Sequence, residues 1–320
     1  MNEENTAKVR ALIEKFYEDR KMKGYSGETE GKHRWGLKYL LDFLRMQDEE
    51  NLSQITTETL NKFQMHIYAS PGRSGKALHL EAQSNVLSST RALFQWLTQR
   101  NYLLADPASG LEMPKRRRTL PRGVMSVREI KKILAVPNVD MPLELRDRAM
   151  MEVLYCTGIR NKEIRNLKVY DVNLEEGQIH VQQGKGGDDR IVPLGEIASK
   201  YVELYLKEAR PKILRYANRK RVCEDPGYLF LNKRKKKMDK SILIRRIGQY
   251  AKKAKLNKKI TPHSFRHTCA THLLKGHANI RHIQAILGHK SLDSTQIYTH
   301  VETGDLKREL KRCHPRERAC

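Results

Sequence analysis

Long apolar runs are missing from this chain. No stretch approaches the roughly 18 uninterrupted apolar residues that a membrane-spanning helix requires. The opening residues, MNEENTAKVR, lack a basic segment followed by an apolar one, so no signal peptide is expected. Cysteine is scarce. The five residues Cys156, Cys223, Cys269, Cys313 and Cys320 are odd in number, scattered and never in CxxC spacing. That pattern excludes a disulfide framework and a zinc ribbon, and it fits reduced thiols in a cytoplasm. His263, His267 and His272 come at intervals of four and then five residues with no cysteine partner in pattern, so no metal is expected. A GxxxxGK[ST] phosphate loop is absent, because SPGRSGK at 70–76 has the wrong spacing. There are no internal repeats.

Acidic residues are the other shortage. The chain carries 62 Lys and Arg against 37 Asp and Glu, a formal net charge of +25. Such an imbalance calls for an acidic partner. Duplex DNA presents one negative charge per about 1.7 Å of axis and rewards basic proteins by releasing counterions. An anionic membrane surface is the competitor on charge alone, and no apolar segment supports it. With 320 residues, 39% of them hydrophobic, the chain can bury a real interior and has room for two domains.

The first hundred or so residues read as a small helical bundle. Val9, Leu12, Ile13 and Phe16 recur at helical spacing. Trp35, Tyr39, Leu40, Phe43 and Leu44 form a second stripe. Leu60, Phe63 and Ile67 form a third, starting near the potential cap Thr57, and Val86, Leu87, Thr90, Leu93, Phe94 and Leu97 form a fourth. Residues 106–123, DPASGLEMPKRRRTLPRG, hold Pro107, Pro114, Pro121 and the run Lys115, Arg116, Arg117, Arg118. Proline and glycine stop regular structure here, so this is an interdomain linker whose basic run suits a phosphate backbone. Four segments are expected: a helical DNA-binding domain over 1–106, a linker over 107–124, a second domain over 125–303 and a tail over 304–320.

In the second domain, Ser126 and Glu129 form a capping box that opens a helix over Val127–Leu134. Another helix is expected over Arg146–Cys156, ended by Gly158. QIHVQQ (178–183), GKGGDD (184–189) and RIVPL (190–194) read as strand, turn and strand. The remainder of the chain reads as helical, with the Lys233–Lys237 run as a loop. The fold class is therefore mainly α with a small β-hairpin or sheet (α+β).

Four short segments carry chemistry. In TPHSFRHT (261–268), Thr261 can cap a helix that Pro262 begins, placing His263 and Arg266 on one face beside a helix N-terminus. A histidine, an arginine and free N–H groups suit a phosphate, although a capped polar helix reads the same way. In LGHKSLDSTQIYTH (287–300), Gly288 ends one helix, His289 sits in the turn and Tyr298 lies on the next short helix. In YCTGIRNKEI (155–164), Arg160 precedes a helix containing Glu163. Lys185 sits in the hairpin turn. Singly, each has an ordinary structural explanation.

Their order is more telling. TGIRxxEI, a hairpin lysine, HSFRHTxAT and LGHxSxxxTxxYTH, in this sequence and spacing, resemble the tyrosine recombinase, or phage integrase, family, and most closely its compact bacterial dimer-resolving and element-borne members. The motifs cover residues 125–300, while the first domain matches in layout only. The resemblance implies a helical bundle and a catalytic domain that clamp DNA. It makes Arg160 and Arg266 the grips on the scissile phosphate, His289 a third phosphate ligand, His263 the acid/base and Lys185 the hairpin lysine. Tyr298 would be the nucleophile. It also implies a 3′-phosphotyrosyl intermediate that stores the phosphodiester energy without ATP or any other cofactor, and a homotetramer on two DNA sites, with or without a second recombinase, in the cytoplasm on the nucleoid. The segment after the tyrosine, with Leu306 and Leu310 on one face of Asp305–Lys311, would reach a neighbouring protomer. A type IB-like topoisomerase and a non-catalytic DNA-binding accessory protein remain as alternatives.

The chemistry is coherent. An unperturbed tyrosine titrates at about 10, so only about a thousandth is ionised at neutral pH. Attack therefore needs a base, here His263, and a positive setting. Guanidinium groups bind non-bridging oxygens in bidentate fashion and keep their charge. They act where negative charge grows in the transition state. The leaving 5′-oxygen needs a proton, for which Lys185 is the candidate. Replacing Lys115, Arg116, Arg117 and Arg118 with alanine should remove up to four phosphate contacts. Each should flatten the log–log salt dependence of DNA binding by about 0.9, whereas an unchanged slope would mean the run is only solvated.

Overall fold

The computed structural model describes residues 3–47, 52–71, 75, 77–114, 123–182, 189–216, 225–288 and 303–317. Contacts divide the chain into two compact units, Met1–Arg118 and Thr119–Cys320. The described regular structure is mostly helical, with one three-stranded sheet.

The first unit contains α1 (Glu3–Met22), α2 (Gly27–Met46), α3 (Thr57–Ala69) and α4 (Leu80–Gln99). Side-chain hydroxyls satisfy orphan amides at two starts. Ser26 Oγ accepts the Thr29 amide at 3.3 Å, and Thr56 Oγ1 accepts the Thr59 amide at 3.2 Å, so the α3 cap lies one residue before Thr57. Phe16, Leu37, Leu40, Phe63, Leu93 and Phe94 are fully buried in a shared core. Helices α2 and α4 approach closely because position 36 is glycine: a Cβ there would stand 2.6 Å from Ser89 Oγ. Trp35 departs from the expected stripe. It lies roughly 200° around α2 from Leu37, is 37% exposed, and packs edge-on against Tyr39 with ring centroids 5.0 Å apart.

The front of the expected linker is not free chain. Asp106 Oδ1 accepts the Ala108 amide at 2.9 Å and shapes a turn. Ala108 and Leu111 are buried in the first core, and Arg91 donates to the carbonyls of Ala108 and Ser109 at 3.4 and 3.0 Å. Lys115, Arg116, Arg117 and Arg118 lie outside the described residues.

The second unit begins with α5 (Val127–Leu134), α6 (Pro142–Thr157) and α7 (Asn161–Asn166). Strands β1 (Val172–Asn173), β2 (Gln178–Val181) and β3 (Arg190–Pro193) come next, then α8 (Glu196–Leu204) and α9 (Arg210–Tyr216). The last elements are α10 (Lys240–Lys253), α11 (Pro262–Lys275), α12 (Ile280–Leu287) and α13 (Thr303–Cys313). The capping box at Ser126 and Glu129 forms as expected. Helix α6 starts four residues before the expected Arg146, because Pro142 is preorganised for a first helical position. It is buried on every side from Leu145 to Thr157, and α5, α8 and α11 pack around it. Burial all round erases the amphipathic stripe that would have marked its start.

The sheet is antiparallel in the order β1-β2-β3, with Ile179 opposite both Val172 and Val192. β1 was not expected; two residues carry no period. Lys185 falls outside the described residues. The segment between α9 and α10 is not all helix. Leu231 bridges Lys237, and Asn232 Oδ1 accepts the amides of Arg234 and Lys236 at 2.8 and 3.1 Å. Within that turn Lys235 is buried at φ +61°, so the basic run is not uniformly solvated.

The tail is built into its own unit. Helix α13 packs against β3, α11 and α12, and Leu310 and Cys313 are buried in the second core. Polar contacts key it further. The buried His314 Nε2 meets the Tyr155 carbonyl at 3.1 Å, Arg316 Nε donates to Glu152 at 3.2 Å, and Glu317 accepts the Glu196 amide at 3.0 Å. The tail is thus docked within the chain that carries it, whereas the resemblance placed it on a neighbour.

This docking should depend on pH. Burial, with help from His272 and Arg316 and against the pull of the Tyr155 carbonyl, lowers His314 to about 4. Released, it titrates at about 6.5. Its contribution is therefore complete above the released value and is lost as pH falls toward the docked one, about tenfold per unit. Burial raises the Glu317 carboxyl, which works in the opposite sense, so the comparison that isolates His314 is with His314→Gln. Between pH 7 and 5, amide exchange over 303–317, corrected for intrinsic rate, should accelerate roughly 20-fold more in the wild type than in His314→Gln. Equal acceleration would contradict this.

Candidate active site

Helix α11 begins where the sequence places it. Thr261 Oγ1 accepts the Ser264 amide at 3.4 Å, Ser264 Oγ accepts the Thr261 amide at 3.2 Å, and Pro262 takes the first helical position. His263 is therefore in the first turn and exposed, while Arg266, one turn later, is buried.

Among the described residues, Arg266 is held by backbone carbonyls alone. Its two terminal nitrogens donate to Gly158 O at 2.7 Å and to Leu287 O at 2.8 Å. Gly158 ends α6 at φ +59°, where glycine is favoured, and Leu287 ends α12. One guanidinium thus ties together the ends of α6 and α12, the helices that precede Arg160 and His289 in sequence. Burial, then the neighbouring Arg160, lower Arg266 to about 10, so it remains charged at neutral pH.

Arg160 stands at the start of α7. It donates Nη1 to Glu163 Oε1 at 2.7 Å and Nη2 to Gly288 O. Glu163 closes the turn by accepting the Arg160 amide at 2.8 Å. Arg160 and Arg266 therefore meet the consecutive carbonyls of Gly288 and Leu287, immediately before His289. A third guanidinium, Arg190 at the start of β3, donates to both Glu163 oxygens, at 3.2 and 2.8 Å. Three guanidiniums and one carboxylate leave a local charge of +2 (3 − 1). Burial would raise the Glu163 carboxyl, but bonds from Arg190 and Arg160 bring it down to about 2. Although His263 reaches solvent, partial desolvation by the surrounding protein and the nearby His267, Arg266, Lys240 and Arg160 lower it, which favours its neutral form.

Such a cluster can grip an anion. Paired guanidiniums in a half-buried setting complement a phosphate, and a neutral imidazole beside them can take a proton. Among the described residues, no group of three His, Cys, Asp or Glu could hold a metal ion, and no helix is long and apolar enough to cross a membrane. His289, Tyr298 and Lys185 lie outside the described residues.

A profile of the phage integrase family matches residues 124–304. The chain belongs to the phage integrase family. The tyrosine recombinase XerC 2 of Ralstonia nicotianae is 34% identical over 303 residues, 95% of this chain and 85% of the relative. The tyrosine recombinase XerD of Staphylococcus epidermidis is 35% identical over 294 residues, covering 92% and 95%. The fold is shared with a lambda integrase tetramer solved on a Holliday junction, at a TM-score of 0.61 and 17% identity, covering 92% of this chain and 80% of that one. As a tyrosine recombinase of this phage integrase family, the chain is an enzyme of DNA strand breaking and rejoining, and the relatives favour site-specific recombination over the topoisomerase and accessory readings.

The sequence motifs mark Arg160, His263 and Arg266, give Glu163 no role and leave out Arg190. Glu163 was accessible, since its spacing of three from Arg160 is that of a capping box. Arg190 had no local signal; only the fold brings it to Glu163. The different anchoring of the two motif arginines predicts different stabilities. Arg266→Ala leaves two buried carbonyls without donors, each costing about 1–3 kcal/mol, whereas in Arg160→Ala Arg190 still partners Glu163. Denaturant unfolding should show Arg266→Ala as the less stable variant by about 2 kcal/mol or more. Equal midpoints and slopes would contradict this.

Proposed function

We propose that this recombinase cleaves each strand through attack of Tyr298 on a phosphate gripped by Arg160 and Arg266. The observation that carries the proposal is the convergence of these two guanidiniums on the turn that precedes His289. In this reading His289 is a third phosphate ligand, His263 moves the tyrosyl proton, and Lys185 protonates the leaving 5′-oxygen. The product is a 3′-phosphotyrosyl bond, whose stored energy makes ATP and metal unnecessary.

The partner is duplex DNA carrying a specific site. The charge of +25 supports this, and so do the DNA-bound state and tetramer named for the lambda integrase neighbour. The helical domain over 1–106 and the catalytic domain over 125–303 clamp the duplex, with the basic part of the 107–124 segment, Lys115–Arg118, along the backbone. Four protomers act on two sites, with release of the 304–320 tail to a neighbour as the coupling event, in the cytoplasm on the nucleoid.

The test uses a library of random-sequence nicked duplexes, in which the nick lets the cleaved end escape and traps the adduct. Wild type should form an SDS-stable covalent complex in excess EDTA without ATP, and sequencing the trapped DNA would give the site. Tyr298→Phe should bind that site with unchanged affinity and form no adduct. An adduct from Tyr298→Phe, or a wild-type adduct that requires Mg²⁺, would contradict the assignment.

A further inference from the structure

Arg190 lies outside the residues that the motifs assign, yet it is bound into the same cluster as Arg160. Two of its nitrogens fork onto the Glu163 carboxylate at 3.2 and 2.8 Å. The end of its side chain lies against Gly288: a Cβ built there would stand 2.9 Å from both Cζ and Nε and 3.1 Å from Cδ. Gly288 adopts φ +65°, so glycine is required there both for the backbone and for the arginine resting on it. Among the described residues the Arg190 Nε has no hydrogen-bond partner, and the side chain is only 15% exposed. Burying a guanidinium this far is unfavourable, so the placement serves something other than its own solvation.

The electrostatics indicate what. Glu163 is one buried carboxylate shared between two guanidiniums. Its Oε1 accepts from both Arg160 Nη1 and Arg190 Nη1, and its Oε2 accepts the Arg160 amide and Arg190 Nη2. Shared, it leaves the pair of arginines with a net positive charge. If Glu163 faced Arg160 alone, the pair would be neutral, and the phosphate grip would lose the charge that complements a developing dianionic transition state. Arg190 also adds to the positive field at Arg266.

We infer that Arg190 is a positioning residue for strand cleavage: by satisfying Glu163 and backing the Gly288 turn, it keeps the charge of Arg160 free for the scissile phosphate. This rests on the assignment of Arg160 to the phosphate and of Tyr298 to the nucleophile. It also connects three segments. Arg190 lies five residues beyond Lys185 of the hairpin turn (190 − 185), Glu163 belongs to α7, and Gly288 directly precedes His289.

A charge role and a packing role make opposite predictions for a double variant. Arg190→Ala should bind the recovered duplex within about twofold of wild type and lose about 100-fold in single-turnover cleavage, the scale of a misplaced reacting group. Adding Glu163→Gln removes the carboxylate that would neutralise Arg160, so the double variant should regain at least tenfold over Arg190→Ala. Arg190→Lys retains charge without the fork and should remain within about tenfold of wild type. A 5′-bridging sulfur, which leaves without a proton, should help Arg190→Ala no more than it helps wild type, since the defect is at the phosphate and not at the leaving group. Thermal unfolding run beside these assays confirms that each variant is folded.

Arg190→Ala cleaving at the wild-type rate would overturn the inference, as would a double variant slower than Arg190→Ala. Preferential rescue by the sulfur would also overturn it, by assigning Arg190 to the lysine hairpin. Tyr298→Phe, run in parallel, separates this from failure of the underlying reading: an adduct from that control refutes the nucleophile, whereas unequal rescue with a silent control refutes only the role of Arg190.

Discussion

A guanidinium taken out of water must find acceptors, and for Arg266 the acceptors are the last carbonyls of two helices. Its bonds to Gly158 O and Leu287 O fix the ends of α6 and α12 against α11. Each of those ends leads into a motif: Gly158 into Arg160, and Leu287 through Gly288 into His289. A single satisfied burial therefore sets the spacing of elements far apart in sequence. It also explains why glycine stands at 158, where a Cβ would meet Leu287 at 2.4 Å and Cys269 at 3.4 Å. The site is a consequence of how one charged side chain is accommodated.

That accommodation makes the site electrostatically tense. Three guanidiniums gather around one carboxylate, and burial with like-charge proximity lowers Arg266 to about 10. An anion between Arg160 and Arg266 relieves this, so binding energy and catalytic potential come from the same source. The same logic applies at the scale of the chain, where a net +25 disfavours compaction of the free protein and is relieved along a phosphate backbone. His263 beside this cluster is held toward its neutral form by its surroundings, the form that the proposed proton transfer needs.

Much of this was legible in the sequence, and the failures have physical reasons. Helices whose apolar residues recur on one face, such as the Leu60, Phe63 and Ile67 stripe, were visible because one side is buried and the other wet. The capping box at Ser126 and Glu129 and the Thr261–Pro262 start are local signals, and both form. Trp35 misled because aromatic residues are read as core, while Gly36, which carries no side chain, marks the face that packs on α4. The onset of α6 was hidden because that helix is buried all round, with Arg146, Asp147, Arg148 and Glu152 satisfied internally. The motif arginines were marked by order and spacing. Arg190 was not, since its partners Glu163 and Gly288 are 27 and 98 residues away (190 − 163 and 288 − 190). The tail was read through its leucines, whereas His314, Arg316 and Glu317 supply contacts that only the fold reveals.

In the proposed mechanism, all of this serves to activate one hydroxyl, that of Tyr298. The decisive experiment is to trap wild-type protein on its duplex, digest the adduct with nuclease and trypsin, and locate the residual nucleotide by mass spectrometry. The added mass should fall on the peptide spanning residues 291–307, with fragmentation placing it on Tyr298. Nucleotide on any other residue, or an adduct whose bond is not a tyrosyl phosphodiester, would contradict the mechanism.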